Sequence, residues 1–327
     1  MDKARAQKVL EELQIVTRII YTGQVPDIKP SATLLIRTFK ASDDRPFIRK
    51  DASGQALFYI VEGKAGVDVG QPERIIVPPT NTVGEMSMVS NVLNALDGTV
   101  NIGSRTADVY AEEELRTIVF NYSALVEILK DPDPELRSVR GQVMISLNRI
   151  MFRKLMGVNE NFVAILTGYG LDYAAEEMQY PLQLTDAIST FLKKMRAIPK
   201  LSVVPHELRG ILVREGEPNS EILFLHEGKV KVSTEIENKL TEQKERFELN
   251  IINAPTLMGE SSILNLGSVS SLQVEAVEKV IGYRMAVQSL LRHLQRYPEL
   301  FTQFFLLLLE LNYFRCVGMI KKTSALG

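Results

Sequence analysis

The chain has 327 residues, 45% of them apolar and 24% charged, with a mean hydropathy of +0.01 and a formal net charge of −2. That length exceeds one ordinary domain and predicts two, each able to bury its own core, while the composition excludes a disordered or fibrous chain. There is no basic surplus and no long Lys/Arg run to draw in a phosphate backbone, so nucleic acid is not an expected partner.

Residues Met1 to Tyr21 place Val9, Leu10, Leu13, Ile15, Val16, Ile19 and Ile20 at helical spacing, and Gly23 with Pro26 ends the pattern. The segment is charged and lacks the apolar core and cleavage site of a signal peptide, which predicts a cytoplasmic protein. From Thr33 the pattern turns to short runs rich in β-branched and aromatic residues: TLLIRTF, ALFYIVEG, AGVDVG, RIIVPP, RTADVYA and LRTIVF. Many short strands at close spacing predict a sandwich or barrel. Helical periodicity returns over Ser123–Leu129 and, past Pro132 and Pro134, from about Glu135 through Leu155, with further helices around Leu171–Met178 and Thr185–Arg196. Strand-like runs resume as GILVRE, EILFLHEG, KVKVST, FELNIIN, LQVEAVE and VIGYRM, and helices are predicted over Ala286–Tyr297 and Glu299–Val317. The most apolar run, Phe304 to Leu309, is closed by Glu310 and falls well short of the about 20 residues that span a bilayer, so it predicts a packed helix and no membrane span.

The order helix, strands, helices thus occurs twice. Arg49, Phe58, Glu62, Gly63 and Lys64 stand 165 positions before Arg214, Leu223, Glu227, Gly228 and Lys229, and the same offset pairs Arg105 with Ser270. The pairs Gly84-Glu85 and Gly259-Glu260 are 175 apart. Self-similarity on this scale predicts duplicated domains rather than a solenoid: residues 1–130 with the N-terminal helix, a helical connector 131–184, and residues 185–327 with the C-terminal helices.

The strand-to-hairpin segments FYIVEGK (Phe58–Lys64) and FLHEGK (Phe224–Lys229), with Gly84-Glu85-Met86-Ser87-Met88 and Arg105-Thr106-Ala107-Asp108-Val109, resemble the cyclic nucleotide-binding domain family over about two thirds of the chain. The resemblance implies a mixed α and β fold of two tandem β jelly rolls with flanking and connecting helices. It further implies a non-enzymatic regulatory role, and a cyclic nucleotide (cAMP or cGMP) rather than a cofactor in the first module. Gly84, Glu85, Met86, Ser87, Arg105, Thr106 and Ala107 are the expected ligand-binding residues. A buried cyclic phosphate must be paired. A helix starting near Glu85 offers free backbone N–H groups, Gly84 allows close approach, and Arg105 supplies a permanently charged fork. Glu85 would accept from the ribose 2′-hydroxyl. Thr106 matches a position that can touch the base, and both adenine and guanine stay open.

Plainer readings stand beside these: Gly63 and Gly228 as hairpin-turn glycines, Glu85 as a residue favouring a helix N-terminus, and Arg105 as a surface ion-pair partner. Twenty positions separate Glu85 from Arg105, about twice the family's usual spacing; SNVLNALDGTVNIG (Ser90–Gly103) is expected to form the extra loop, and whether Asn91–Ser104 leaves the phosphate site open decides between binding and blockage. Such a cassette accepts a larger ligand, lies empty, or folds inward. In the second module Ser270 stands where the phosphate arginine is expected. A hydroxyl cannot neutralise a buried phosphate, so that module is expected to be a scaffold that no longer binds nucleotide.

His206, His226 and His293 lie far apart, and no metal-ligand spacing appears. Cys316 stands alone and reads as a small buried hydrophobe. Without a phosphate loop, a nucleophile elbow or a kinase signature, no enzyme is expected. The mixed-sign stretch EIENKLTEQKERFE (Glu235–Glu248) reads as a solvated loop. No output segment follows the second module, so the expected partners are a protein or a second copy of the chain, met through helices; the alternative function is a scaffold that binds protein without nucleotide.

Overall fold

The computed structural model describes the chain apart from residues 42–43, 71–72, 98–104, 171–172, 199–202, 239–242, 265–268 and 327. It divides into two compact units, Met1–Lys154 and Leu155–Leu326.

The first unit opens on α1 (Lys3–Thr22), whose N-cap Asp2 accepts from the Arg5 N–H at 2.8 Å and whose end is set by Gly23 at φ +68°. Its stripe Leu10, Leu13, Val16 and Ile19 is buried. The elements β1 (Leu34–Phe39), β2 (Ala56–Glu62), β3 (Ala65–Asp68), β4 (Ile75–Val77), β5 (Thr82–Val83), α2 (Glu85–Asp97), β6 (Asp108–Ala111), β7 (Leu115–Asn121), α3 (Ser123–Lys130) and α4 (Arg137–Tyr169) follow. The strands form two antiparallel sheets, ordered β1-β7-β2-β5 and β4-β3-β6. Phe58, Ile60, Val83, Val109, Leu115 and Val119 make their common core. Four successive residues of β2, Leu57 to Ile60, are buried, because one side faces this core and α2 packs against the strand.

The second unit takes the last part of α4 and then β8 (Glu177–Met178), α5 (Leu182–Arg196), β9 (His206–Leu208), β10 (Ile211–Val213), β11 (Glu221–Glu227), β12 (Lys229–Asn238), β13 (Gln243–Asn253), β14 (Thr256–Met258), α6 (Ser261–Leu264), β15 (Gln273–Ala276), β16 (Val280–Ala286), α7 (Val287–Arg296) and α8 (Pro298–Leu326). Its sheets are ordered β10-β15-β12-β13-β8 and β14-β11-β16-β9. The spacing of 165 reappears as register. The β2–β7 ladder is irregular between Ile60 and Glu62 and the β11–β16 ladder between Leu225 and Glu227, while Ala65 pairs Ala111 and Val230 pairs Ala276.

Four local expectations are corrected. Ser90–Asp97 is helix rather than loop, because Met88, Val89, Val92 and Leu93 bury one face of α2; the remainder of that expected loop, 98–104, lies outside the described residues. α4 does not stop at Leu155 but runs to Tyr169. Of the helix expected over Leu171–Met178, residues 171–172 lie outside the described residues and Tyr173–Met178 is not helical: Glu177 and Met178 form β8, parallel to Ile251 and Ile252, and that tertiary pairing overrides a helical spacing. The mixed-sign stretch Glu235–Glu248 is mostly hairpin strand, its charges paired across β12 and β13 as Lys231–Glu248 (2.6 Å), Lys244–Glu235 (3.2 Å) and Arg246–Glu235 (3.2 Å).

α8 is far longer than its apolar run. An 18-residue window with mean hydropathy 1.3 makes it long and apolar enough to cross a membrane, yet 67% of that window is buried within the folded chain. Phe304, Leu308, Leu311 and Met319 are buried, and the helix packs on α5 and α7.

Candidate functional site

Arg105 enters β6 with its backbone fixed on both sides: its N–H donates to Ala52 O at 3.0 Å and its carbonyl accepts from the Asp51 N–H at 2.9 Å. Its side chain is buried, with 6% of the residue exposed. Nη1 donates to Gly84 O at 3.2 Å and Nη2 to Ala56 O at 2.6 Å. The guanidinium lies directly against two glycines, since a Cβ at Gly54 or at Gly84 would stand 2.3 Å from one of its nitrogens, and Gly84 has φ +92° besides. A guanidinium carries five N–H donors. Two are used, and among the described residues the other three have no acceptor. Burial pulls the Arg105 pKa down, with Tyr122 and Glu85 opposing it from nearby. The surface ion-pair reading therefore fails: Arg105 is a buried cation, and among the described residues no carboxylate forms an ion pair with it.

Glu85, the first residue of α2, is 2% exposed. Its Oε1 lies 2.8 Å from Lys154 Nζ on α4, and its Oε2 is buried with no hydrogen-bond partner. Ser87 and Ala107 are buried, Met86 is half-buried and Thr106 is exposed. The structure thus brings Gly84 and Arg105 together beside Glu85, and leaves Thr106 on the surface.

Sequence reasoning missed Gly54, Ala56, Asn91, Tyr122 and Lys154. Asn91 sits in the part of α2 that was expected to be a loop, and its Nδ2 donates to Gly54 O at 3.0 Å and to the Tyr122 hydroxyl at 2.8 Å. That hydroxyl in turn donates to Gly54 O in a short bond. The helical spacing of Met88, Val89, Val92 and Leu93 was the one signal that placed Asn91 on a helix. Replacing Tyr122 with Phe removes one partner from the half-buried Asn91 amide and one from the Gly54 carbonyl, which keep their bond to each other, and is expected to lower stability by about 1 kcal/mol in urea unfolding, with Asn91→Ala adding less than it costs alone. Full additivity of the two would show that the network does not act as one.

Ser270 occupies in the second module the backbone position of Arg105. Its N–H donates to Glu217 O at 2.9 Å and its carbonyl accepts from the Gly216 N–H at 2.8 Å, the same bonds 165 positions on. Its hydroxyl is spent on Leu272 O at 2.8 Å. Where the first module has Gly54 the second has Asn219, whose side chain accepts from the Glu221 N–H at 3.1 Å. A hollow of about 240 Å³ beside it holds Arg214 with Glu217 and Arg284 with Glu221, each pair 3.5 Å apart, so its charges compensate each other.

The strand framework, repeated at an offset of 165, thus carries a buried arginine and a buried carboxylate at the cassette of the first module. Residues 207–297 match the family model described as "Cyclic nucleotide-binding domain". The match falls on the module with Ser270, not on the one with Arg105. No curated protein matches the chain. Among solved structures it is similar to the regulatory domain of Toxoplasma gondii PKA with cAMP (13% identity, 92% of this chain and 96% of that one, TM-score 0.26). It is also similar to a regulatory subunit of a cAMP-independent protein kinase A from Trypanosoma cruzi bound to guanosine (14%, 90% and 85%, 0.27) and to a cyclic nucleotide-binding domain from Methylobacillus flagellatus (17%, 44% and 82%, 0.32).

Proposed function

We propose that the chain is a non-enzymatic cytoplasmic sensor or adaptor built of two jelly-roll modules, residues 1–130 and 185–327, joined by the connector 131–184. The first module binds a cyclic nucleotide, and the second is a scaffold. Binding reorients the helices between Ser123 and Arg196, which act on a protein partner or on a second copy of the chain.

One observation carries this reading. A buried guanidinium with three spare donors stands at the same cassette as a buried carboxylate with a spare oxygen. Each costs free energy unless it is paired, and a molecule with a phosphate and a ribose hydroxyl would complete both. The alternative, a scaffold that takes no nucleotide, draws support from the two bonds Arg105 already makes to its own chain.

Calorimetric titration with cAMP and cGMP separates the two. One site per chain is expected, since Ser270 supplies no phosphate partner. Two equivalent sites would refute the assignment of the second module, and absence of heat with either nucleotide would leave the scaffold.

A further inference from the structure

The second cassette's carboxylate is not open. Glu260 is 7% exposed and lies 2.5 Å from Nη1 of Arg315, which α8 carries into the module. Arg315 is 5% exposed. Its Nε donates to the Tyr180 hydroxyl at 2.9 Å, and its Nη2 to Leu257 O at 2.7 Å and Thr256 Oγ1 at 3.2 Å, with Met258 Sδ at 3.1 Å. All three guanidinium nitrogens are engaged, by groups from β14 and from two loops, those holding Tyr180 and Glu260. The first module differs: its carboxylate meets the flexible point charge of Lys154 and keeps one oxygen without a partner.

We propose that Arg315 is an internal ligand of the second module. Glu260, Tyr180, Thr256 and the Leu257 carbonyl form a guanidinium-binding site, and the chain's own α8 fills and seals it. The planar fork matches this set of acceptors, as it would match any bound guanidinium compound. Burial opposes the charge on Arg315, but Tyr180 and Glu260 outweigh it and hold the guanidinium ionised. Arg315 thereby engages the Glu260 carboxylate, whose counterpart Glu85 keeps an oxygen free to accept from a ribose hydroxyl. Module 2 is closed by occupancy as well as by the loss of an arginine. This inference does not depend on the first module binding nucleotide.

A site of this kind accepts a diffusible copy of its ligand. In the full chain, Arg315→Ala is expected to unfold at lower temperature than the parent, and guanidinium chloride at tens of millimolar is expected to raise that midpoint above sodium chloride of equal ionic strength, saturably. The parent and the double variant Glu260→Gln/Arg315→Ala should show no such gain. An Arg315→Ala chain that answers guanidinium and sodium alike would overturn the proposal, as would an equal gain in the double variant. If Arg315→Ala does not fold, hydrogen exchange on Glu260→Gln decides instead: amides of α8 around Arg315 should exchange at least about tenfold faster than in the parent. Unchanged exchange there would also overturn it.

Discussion

Arg105→Ala is expected to weaken any cyclic nucleotide the parent binds by at least about 30-fold, because a charge-assisted hydrogen bond contributes about 1.5–3 kcal/mol and a desolvated phosphate would be stranded as well. The buried position strengthens this expectation: the Arg105 guanidinium lies directly against Gly84, whereas Lys154 is held on Glu85. Sequence reasoning alone expects folding to be nearly untouched. The structure changes that, since the guanidinium also donates to Gly84 O and Ala56 O and fills the space above Gly54. A stability loss of about 1–2 kcal/mol should accompany the loss of affinity, so binding must be measured well below the variant's unfolding temperature. Arg105→Lys, which keeps the charge and loses the fork, should fall between. Arg49 and Arg214 are exposed, and their alanine variants should stay within about threefold of the parent. If Arg105→Ala keeps parental affinity, the phosphate is held elsewhere.

Gly228→Ala is expected to cost at least about 3 kcal/mol, or to prevent folding. The residue has φ +95°, where a side chain costs about 1–3 kcal/mol by itself. Its added Cβ would stand 2.3 Å from Lys279 O and 2.9 Å from Val280 Cα, both backbone atoms that can yield only if β16 shifts. Gly63 repeats this in the first unit, at φ +80° with Glu114 O at 2.3 Å, and its alanine variant should behave alike. Gly216 separates strain from clash: φ is +76° but nothing lies within 4 Å, so Gly216→Ala should cost only about 1 kcal/mol. Equal losses for Gly216→Ala and Gly228→Ala in urea unfolding would show that the close approach at the hairpin is absent.

Those hairpin glycines were legible in the sequence because a turn needing φ > 0 is a local demand, met by residues adjacent in the chain. So were the short strands, the cassette pairs Gly84-Glu85 and Gly259-Glu260, and the offset of 165, which returns as identical backbone bonds at Arg105 and Ser270. The two-residue β8 was not legible, since nothing in Glu177-Met178 is strand-like until β13 lies beside it. Nor were the residues that decide what each cassette can do. Gly54 meets Asn91 and Tyr122, Glu85 meets Lys154, and Glu260 meets Arg315 across dozens of intervening residues. Contacts of that kind leave no period in the sequence. Which cation reaches a buried carboxylate depends on where a whole helix packs, and that is set by the apolar faces of α4 and α8 rather than by the charged residue itself.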